Sequence, residues 1–258
     1  MNRASPSFGV CSYKSIEQRL IPCRALSRIP DGACSVIVAA FPYLLDKEKY
    51  IGGNISKYAS VKDYHTVING RLLKAVEELS ALYPDDKFVT FTDNSPVPEV
   101  SAALMSGMGA IGDNGLFIHD TYGTFVFLGE IVTTLEIEPT GNGVRECLHC
   151  GACRRACPTG AIGDRGPDPE KCLSAINQKK GELTEYEKKL IKESGCAWGC
   201  DRCQDVCPLN ANAKITDIEE FIEGACSTAQ KGEDLEGKAY GWRGRSVIER
   251  NLDILENE

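Results

Sequence analysis

CLHCGACRRACP, Cys147 to Pro158, and CAWGCDRCQDVCP, Cys196 to Pro208, decide how this sequence is read. In the first stretch, Cys147, Cys150, Cys153 and Cys157 have the CxxCxxCxxxCP spacing of bacterial ferredoxins. There, closely spaced thiolates on one loop take three corners of a cubane and the fourth cysteine reaches a second cluster. Proline ends such a loop because it has no N–H to carry a hydrogen-bonded turn onward. The second stretch repeats the signature with Cys200, Cys203, Cys207 and Pro208. A zinc site closes with four ligands around one ion and gives no reason for two runs that both end in Cys-Pro. The spacing therefore predicts two 4Fe-4S clusters. Cys147, Cys150 and Cys153, with Cys207 donated from the second run, form one ligand set. Cys157, Cys200 and Cys203 belong to the other, whose fourth ligand is either Cys172 or Cys196. Ferredoxin pseudo-symmetry favours Cys196, but its interval to Cys200 is one residue longer than the ferredoxin spacing.

Thirteen cysteines among 258 residues could also signal the disulfide scaffold of a secreted protein. The N-terminus, MNRASPSFGVCSYKSIEQRL, argues otherwise, because it holds no apolar segment of signal-peptide length. No apolar run approaches membrane-spanning length either. The expectation is a cytoplasmic protein with no membrane partner. A net charge of −8 excludes a surface that attracts polyanions all round. Local basic groups remain: Arg154, Arg155 and Arg165; Lys179, Lys180, Lys188, Lys189 and Lys192; Arg243, Arg245 and Arg250. Each reads most simply as a solvated helix face. Cys11, Cys23, Cys34 and Cys226 lie outside any cluster spacing and read as buried or idle thiols.

Ahead of the cysteine runs, strand-like and helix-like segments alternate. SVIVAAF, Ser35 to Phe41, is a buried strand by its β-branched content, and KFVTFTD, Lys87 to Asp93, is a second. Ser60 and Asp63 have the spacing of a capping box opening a helix through Val67, Leu72, Val76 and Leu79. Ser95 and Pro96 resemble the cap and first turn of a helix running to Met105. LFIHD and TFVFLGEIVTT read as two further strands joined in a hairpin around Tyr122 and Gly123. Near the C-terminus, Val247, Ile248, Leu252 and Leu255 mark one apolar helix face. The fold class is α+β: a mixed α/β domain over 1–140, a ferredoxin-like double-cluster domain over 141–215, and a helical segment over 216–258.

Two features of the first domain bear on chemistry. Gly107, Gly109 and Gly112 spell GxGxxG, but a dinucleotide fingerprint must follow a strand and open a helix. Here the glycines follow a helix and lead into strands, so they either let backbone approach a flat ligand or turn the chain. Asp93 ends an apolar strand just before a helix, a place where ligands collect in α/β sheets. It is a helix cap or an acid-base group, and the residues alone do not choose.

Several blocks resemble the epoxyqueuosine reductase family, cobalamin- and iron-sulfur-dependent enzymes of queuosine tRNA modification that are distantly similar to reductive dehalogenases. They are ISKYASVKDYH (Ile55 to His65), FTDNSPVPE (Phe91 to Glu99), GMGAIGDNGLFIHDTYGTFVFLGEI (Gly107 to Ile131), the first cysteine run with TGAI, KCLSAIN (Lys171 to Asn177) and GCDRCQDVCPLN (Gly199 to Asn210). The resemblance implies a cobalamin site formed by Asp93, Ser95, Gly107, Gly109, Gly112, Tyr122 and Gly123, with Asp93 as catalytic proton donor. It makes Cys172 the fourth ligand of the second cluster. It implies electrons arriving from a ferredoxin or flavodoxin and tRNA as a partner. Family members normally have a longer N-terminus and a C-terminal helical-repeat region that this chain stops short of, and Asp113 stands where they commonly have lysine. The alternative is a non-catalytic electron carrier or redox sensor that kept the clusters without the corrin.

Overall fold

The computed structural model describes residues 4–141, 146–164 and 166–256, so Arg165 of the first basic group lies outside the described residues. Contacts divide the chain into two units. One comprises Met1–Pro42, Tyr64–Gly112 and Leu116–Cys147; the other comprises Tyr43–Asp63, Asp113–Gly115 and Leu148–Glu258. No helix among the described residues is long and apolar enough to cross a membrane.

The first unit holds strands β1 (Ser7–Ser12), β2 (Ser35–Pro42), β3 (Phe88–Phe91), β4 (Gly109–Ile111), β5 (Phe117–His119) and β6 (Val126–Thr133), with helices α1 (Tyr64–Leu82) and α2 (Glu99–Met105). The main sheet has the order β1-β2-β6-β3 and is antiparallel throughout. All eight residues of β2 are buried, which accounts for its unbroken apolar run: both faces are covered. On one face Ile68 and Leu72 of α1 press against β6 so closely that a Cβ on Gly129 would lie 2.7 Å from Ile68 Cγ2. On the other, Ala102 and Ala103 of α2 join Val36, Val38, Ala40, Phe91, Leu128 and Val132 in one apolar layer.

Three local expectations are corrected here. The first helix opens at Tyr64, not at Ser60, because the Ser60 hydroxyl donates to the Ser56 carbonyl instead of capping. The second opens at Glu99, because Ser95 Oγ accepts from the Val97 N–H at 3.1 Å and closes a turn ahead of the helix. The strands flanking Tyr122 do not pair with each other. β5 pairs with β4, while β6 runs between β2 and β3. The turn itself exists, as a bridge in which His119 and Gly123 exchange N–H···O bonds of 2.8 and 2.9 Å.

The second unit carries α3 (Ala152–Ala156), α4 (Leu173–Ile176), α5 (Glu185–Ser194), α6 (Arg202–Asp205), α7 (Glu219–Glu223) and α8 (Arg245–Glu256). Helix α5 opens with a capping box of Thr184 and Glu187 and closes on left-handed Gly195. Helix α8 buries Val247, Ile248 and Leu252 against Trp198 and Tyr240, as its periodicity predicts. Residues 216–258 therefore pack into the same unit as 148–215. Lys179, Lys188 and Lys189 pair with Glu187, Glu185 and Glu193, the behaviour of a solvated helix face.

Segment 43–63 belongs to this unit for a specific reason: it braces the second cysteine run. Ser56 N–H donates to the Trp198 carbonyl (2.8 Å), Lys57 N–H to Asp201 Oδ2 (2.7 Å), and Trp198 Nε1 to the Tyr58 hydroxyl (2.8 Å). Gly199 sits against this brace with φ +77, where a Cβ would lie 1.9 Å from Ser56 Oγ. Gly199→Ala combines that overlap with the cost of a left-handed non-glycine residue, about 1–2 kcal/mol. It is expected to lower the thermal midpoint of the cluster-loaded protein by several degrees, whereas Gly181→Ala, also left-handed but with open space around it, should lower it less.

Candidate functional site

Asp93 and Asn94 follow β3 in left-handed backbone, φ 46 and φ 37, a conformation that non-glycine residues hold only where surrounding structure enforces it. Three hydrogen bonds do so here. Tyr64 hydroxyl donates to Asp93 Oδ2 at 2.7 Å, His65 Nε2 lies 3.1 Å from the same oxygen, and the Asn94 N–H donates to Oδ1 at 2.6 Å. The His65 bond contributes most to holding the Asp93 carboxyl down at about 2. Burial opposes it, and Tyr64 and the Asn94 N–H add to it. The rings of His65, Tyr64 and Phe127 form a stack, 4.1 Å between the first pair of centroids and 4.2 Å between the second. The Asp93 side chain is 49% exposed, so its carboxylate is available to a ligand. A cavity of about 300 Å³, lined by Arg28, His65, Asn69, Thr92, Asp93 and Asn94, opens beside it.

Two further carboxyls in this unit lie within electrostatic reach. Burial, aided by the charge on Asp93, pushes Glu99 up to about 7. Burial, then Glu99 and Asp93, holds Glu130 well above the ordinary carboxylate range. Because Glu99 binds its proton more tightly in the folded chain than the ordinary value of 4.5, the folded state carries the extra proton and stability falls as pH rises from 4.5 to about 7. Glu99→Gln is expected to flatten that decline, read as a smaller difference in melting temperature between the two pH values.

The cysteine runs are positioned by sharp backbone. His149 (φ 48) and Gly151 (φ 69) are both left-handed, which bends the first loop tightly enough to present several thiols from a few residues. His149 Nδ1 lies 2.7 Å from Asp113 Oδ1, so Asp113 has its partner in this loop. Burial raises the Cys157 thiol, but bonds from Thr159 and from the N–H groups of Thr159, Ala161 and Ile162 outweigh it and lower it, favouring the thiolate that iron needs. Burial pushes Cys203 up to about 12, and the neighbouring Cys200, Cys172 and Cys153 add to this. Cys200 is raised first by burial, then by Asp201, Cys172 and Cys157. The charge of Cys172 thus reaches both Cys200 and Cys203. Cys196 is differently engaged: its thiol donates to the Trp198 carbonyl at 3.2 Å, and burial pushes it up to about 12. No disulfide joins any of the cysteines.

Several of the remaining sequence-predicted positions also shape the path of the chain. Gly107 turns the chain after α2 in left-handed backbone. A Cβ on Gly109 would strike the Ile118 carbonyl at 2.0 Å, and the Gly112 N–H closes the β4–β5 turn on Leu116. Ser95 is buried with its hydroxyl committed to Val97. Tyr122 lies against His119, ring centroids 5.1 Å apart. Sequence reasoning singles out Asp93 but misses Tyr64, His65, Glu99 and Glu130. The available signals were the YH pair closing ISKYASVKDYH and an acid set inside the apolar run FLGEIV.

Residues 24–94 match the family model described as epoxyqueuosine reductase QueG, DUF1730. Among curated relatives, the epoxyqueuosine reductase of Lactococcus garvieae is 29% identical over 259 residues, covering 93% of this chain and 72% of its own length. That of Gloeobacter violaceus is 36% identical over 198 residues, covering 74% and 61%. This chain belongs to the epoxyqueuosine reductase family. A solved epoxyqueuosine reductase from Streptococcus thermophilus superposes with a TM-score of 0.81 at 25% identity, over 98% of this chain and 78% of that one. An epoxyqueuosine reductase crystallised with an epoxyqueuosine-modified tRNA-Tyr stem loop shares the fold, with a TM-score of 0.80 at 22% identity over 97% of this chain and 77% of that one. Residues 146–210 match the 4Fe-4S double cluster binding domain, so the family's two clusters have their domain in this chain. The chain spans between 54% and 72% of the length of the first four curated relatives.

Proposed function

We propose that this chain is a reductase of an epoxide, epoxyqueuosine in tRNA, that takes electrons singly from a ferredoxin or flavodoxin in the cytoplasm and uses two 4Fe-4S clusters and cobalamin. Cys147, Cys150, Cys153 and Cys207 would hold one cluster, and Cys157, Cys172, Cys200 and Cys203 the other. The donor set suits iron: the cysteines are free thiols, and Cys157 is lowered toward thiolate. Supporting Cys172 over Cys196 is the engagement of the Cys196 thiol with backbone carbonyls.

The observation that carries the corrin reading is the stack of His65, Tyr64 and Phe127 beside a half-exposed carboxylate in enforced backbone. Flat aromatic faces suit a flat ring. His65 Nε2 is engaged by the Asp93 carboxylate, 3.1 Å away. Ser95, Gly107, Gly109, Gly112, Tyr122 and Gly123 would line the approach to the ring. Bound cobalamin would supply low-potential electrons at cobalt. The chain's own task is to orient the substrate, and Asp93 passes a proton to the oxygen as it leaves carbon.

Anaerobic reconstitution with iron, sulfide and cobalamin tests this. The expected result is a base-off corrin spectrum that co-purifies with the protein, and reduction of an epoxyqueuosine-bearing stem loop. Clusters without any corrin spectrum would instead leave an electron-transfer protein.

A further inference from the structure

Glu130 stands in the middle of β6, opposite Phe91 of β3 and Val38 of β2. Phe91, Val38, Leu128 and Val132 belong to the apolar layer beneath α2, and strand alternation places Glu130 among them. It is fully buried, and neither carboxyl oxygen has a hydrogen-bond partner among the described residues. An ionised carboxylate in that setting is prohibitively costly, so Glu130 is a neutral acid. Even the neutral acid loses stability relative to an apolar side chain of similar size, so packing does not explain it. The titratable groups whose charge reaches it are Glu99 from the first turn of α2, Asp93 from the loop after β3, and Cys11 from β1. Arg28 lies over the Phe91 ring, 5.0 Å from its centroid, with its guanidinium donating to the Thr90 carbonyl.

Asp93 is a poor place to keep a proton, because all its hydrogen bonds favour the carboxylate. A group that delivers a proton at neutral pH must first receive one from a neighbour that holds it. We propose that Glu99 stores the proton that Asp93 delivers, and that Glu130, neutral and unpartnered behind it, is the positioning residue whose O–H meets the carboxylate formed when Glu99 gives that proton up. This rests on the reading of Asp93 as the proton-delivering group. The proton leaves the Glu99 carboxyl, joins the Asp93 carboxylate, and passes to the epoxide oxygen as its C–O bond breaks and oxygen keeps the electron pair. Two electrons from the external donor and two protons turn an epoxide into an alkene and water, so the store fills twice from solvent in each turnover.

Infrared spectroscopy of the cluster-loaded, substrate-free protein reads protonated carboxyls directly. One C=O band is expected to titrate near neutrality, to vanish in Glu99→Gln, and to titrate at lower pH in Asp93→Asn, which removes the like charge. A second band should persist well above the range in which ordinary carboxyls ionise, because burial holds this acid neutral, and should vanish in Glu130→Gln. In turnover, Glu99→Gln is expected to lower kcat about 100-fold with KM for the stem loop unchanged, and Glu130→Gln to move the alkaline limb of the pH profile. Full activity in Asp93→Asn would overturn the reading of Asp93 while leaving the two bands in place. An inactive Asp93→Asn beside a Glu99→Gln enzyme with wild-type rate and pH profile would overturn the proton store alone. Absence of both bands from the wild-type protein above pH 6 would overturn it without any variant having to fold.

Discussion

Cys172→Ser is expected to remove roughly half of the iron from the reconstituted protein, one cubane of two, whereas Cys196→Ser should leave the iron content at the wild-type level. The sequence presents these cysteines as rivals for one corner of a cluster. Cys172 caps the short helix α4, and its charge is felt by both Cys200 and Cys203. Cys196 lies only four positions before Cys200 in the chain, yet its thiol donates to the carbonyls of Trp198 and Gly199. Reclaiming it for iron would break those bonds and ionise a thiol that burial holds at about 12. Iron analysis with paramagnetic resonance of the reduced proteins checks both variants. Loss of a cluster in Cys196→Ser with none in Cys172→Ser would restore the ferredoxin-symmetric assignment.

Asp93→Asn should reduce turnover by about 10²–10⁴-fold, the usual worth of a positioned proton donor, with iron content and corrin binding retained. Asparagine keeps the size of the side chain and an oxygen for the Tyr64 hydroxyl, so the change isolates charge and proton. The carboxylate also contributes to stability. Its folded value of about 2 lies below the ordinary 3.8, so its contribution is present above that range and is lost as pH falls through about 2. The variant should therefore show a shallower loss of melting temperature between those pH values. A half-exposed side chain keeps this effect small, so a large fall in activity beside a small change in melting separates chemistry from folding.

What the sequence reveals follows the range of the interactions involved. Cluster ligation is local, because one loop must place several thiolates on one cubane, and the two Cys-Pro runs are legible for that reason. The buried run of β2 and the inward face of α8 are legible because a period of two or of 3.6 marks which side is covered. The brace from residues 43–63 is hidden, since the pairing of Ser56 with Trp198 joins positions far apart in the chain. The start of α2 is misread because a serine hydroxyl can close a turn as readily as it caps a helix. Glu130 goes unnoticed because a strand of the right composition hides a single acid, and only the pairing partners show that the acid faces inward.

The brace also constrains how the protein is made. Residues 43–63 emerge from the ribosome early, but the loop they hold, around Trp198, lies 140 residues beyond Tyr58, and the α8 helix that packs on it lies further still. Vectorial synthesis therefore leaves the brace unpaired until that later stretch has been made, and the second unit completes only then. Iron delivered before that point would meet thiols whose scaffold is still missing. No single cut releases the cysteine-rich unit intact: a fragment starting at Leu148 would carry seven of the eight proposed ligands and lack the strap that braces the run holding three of them.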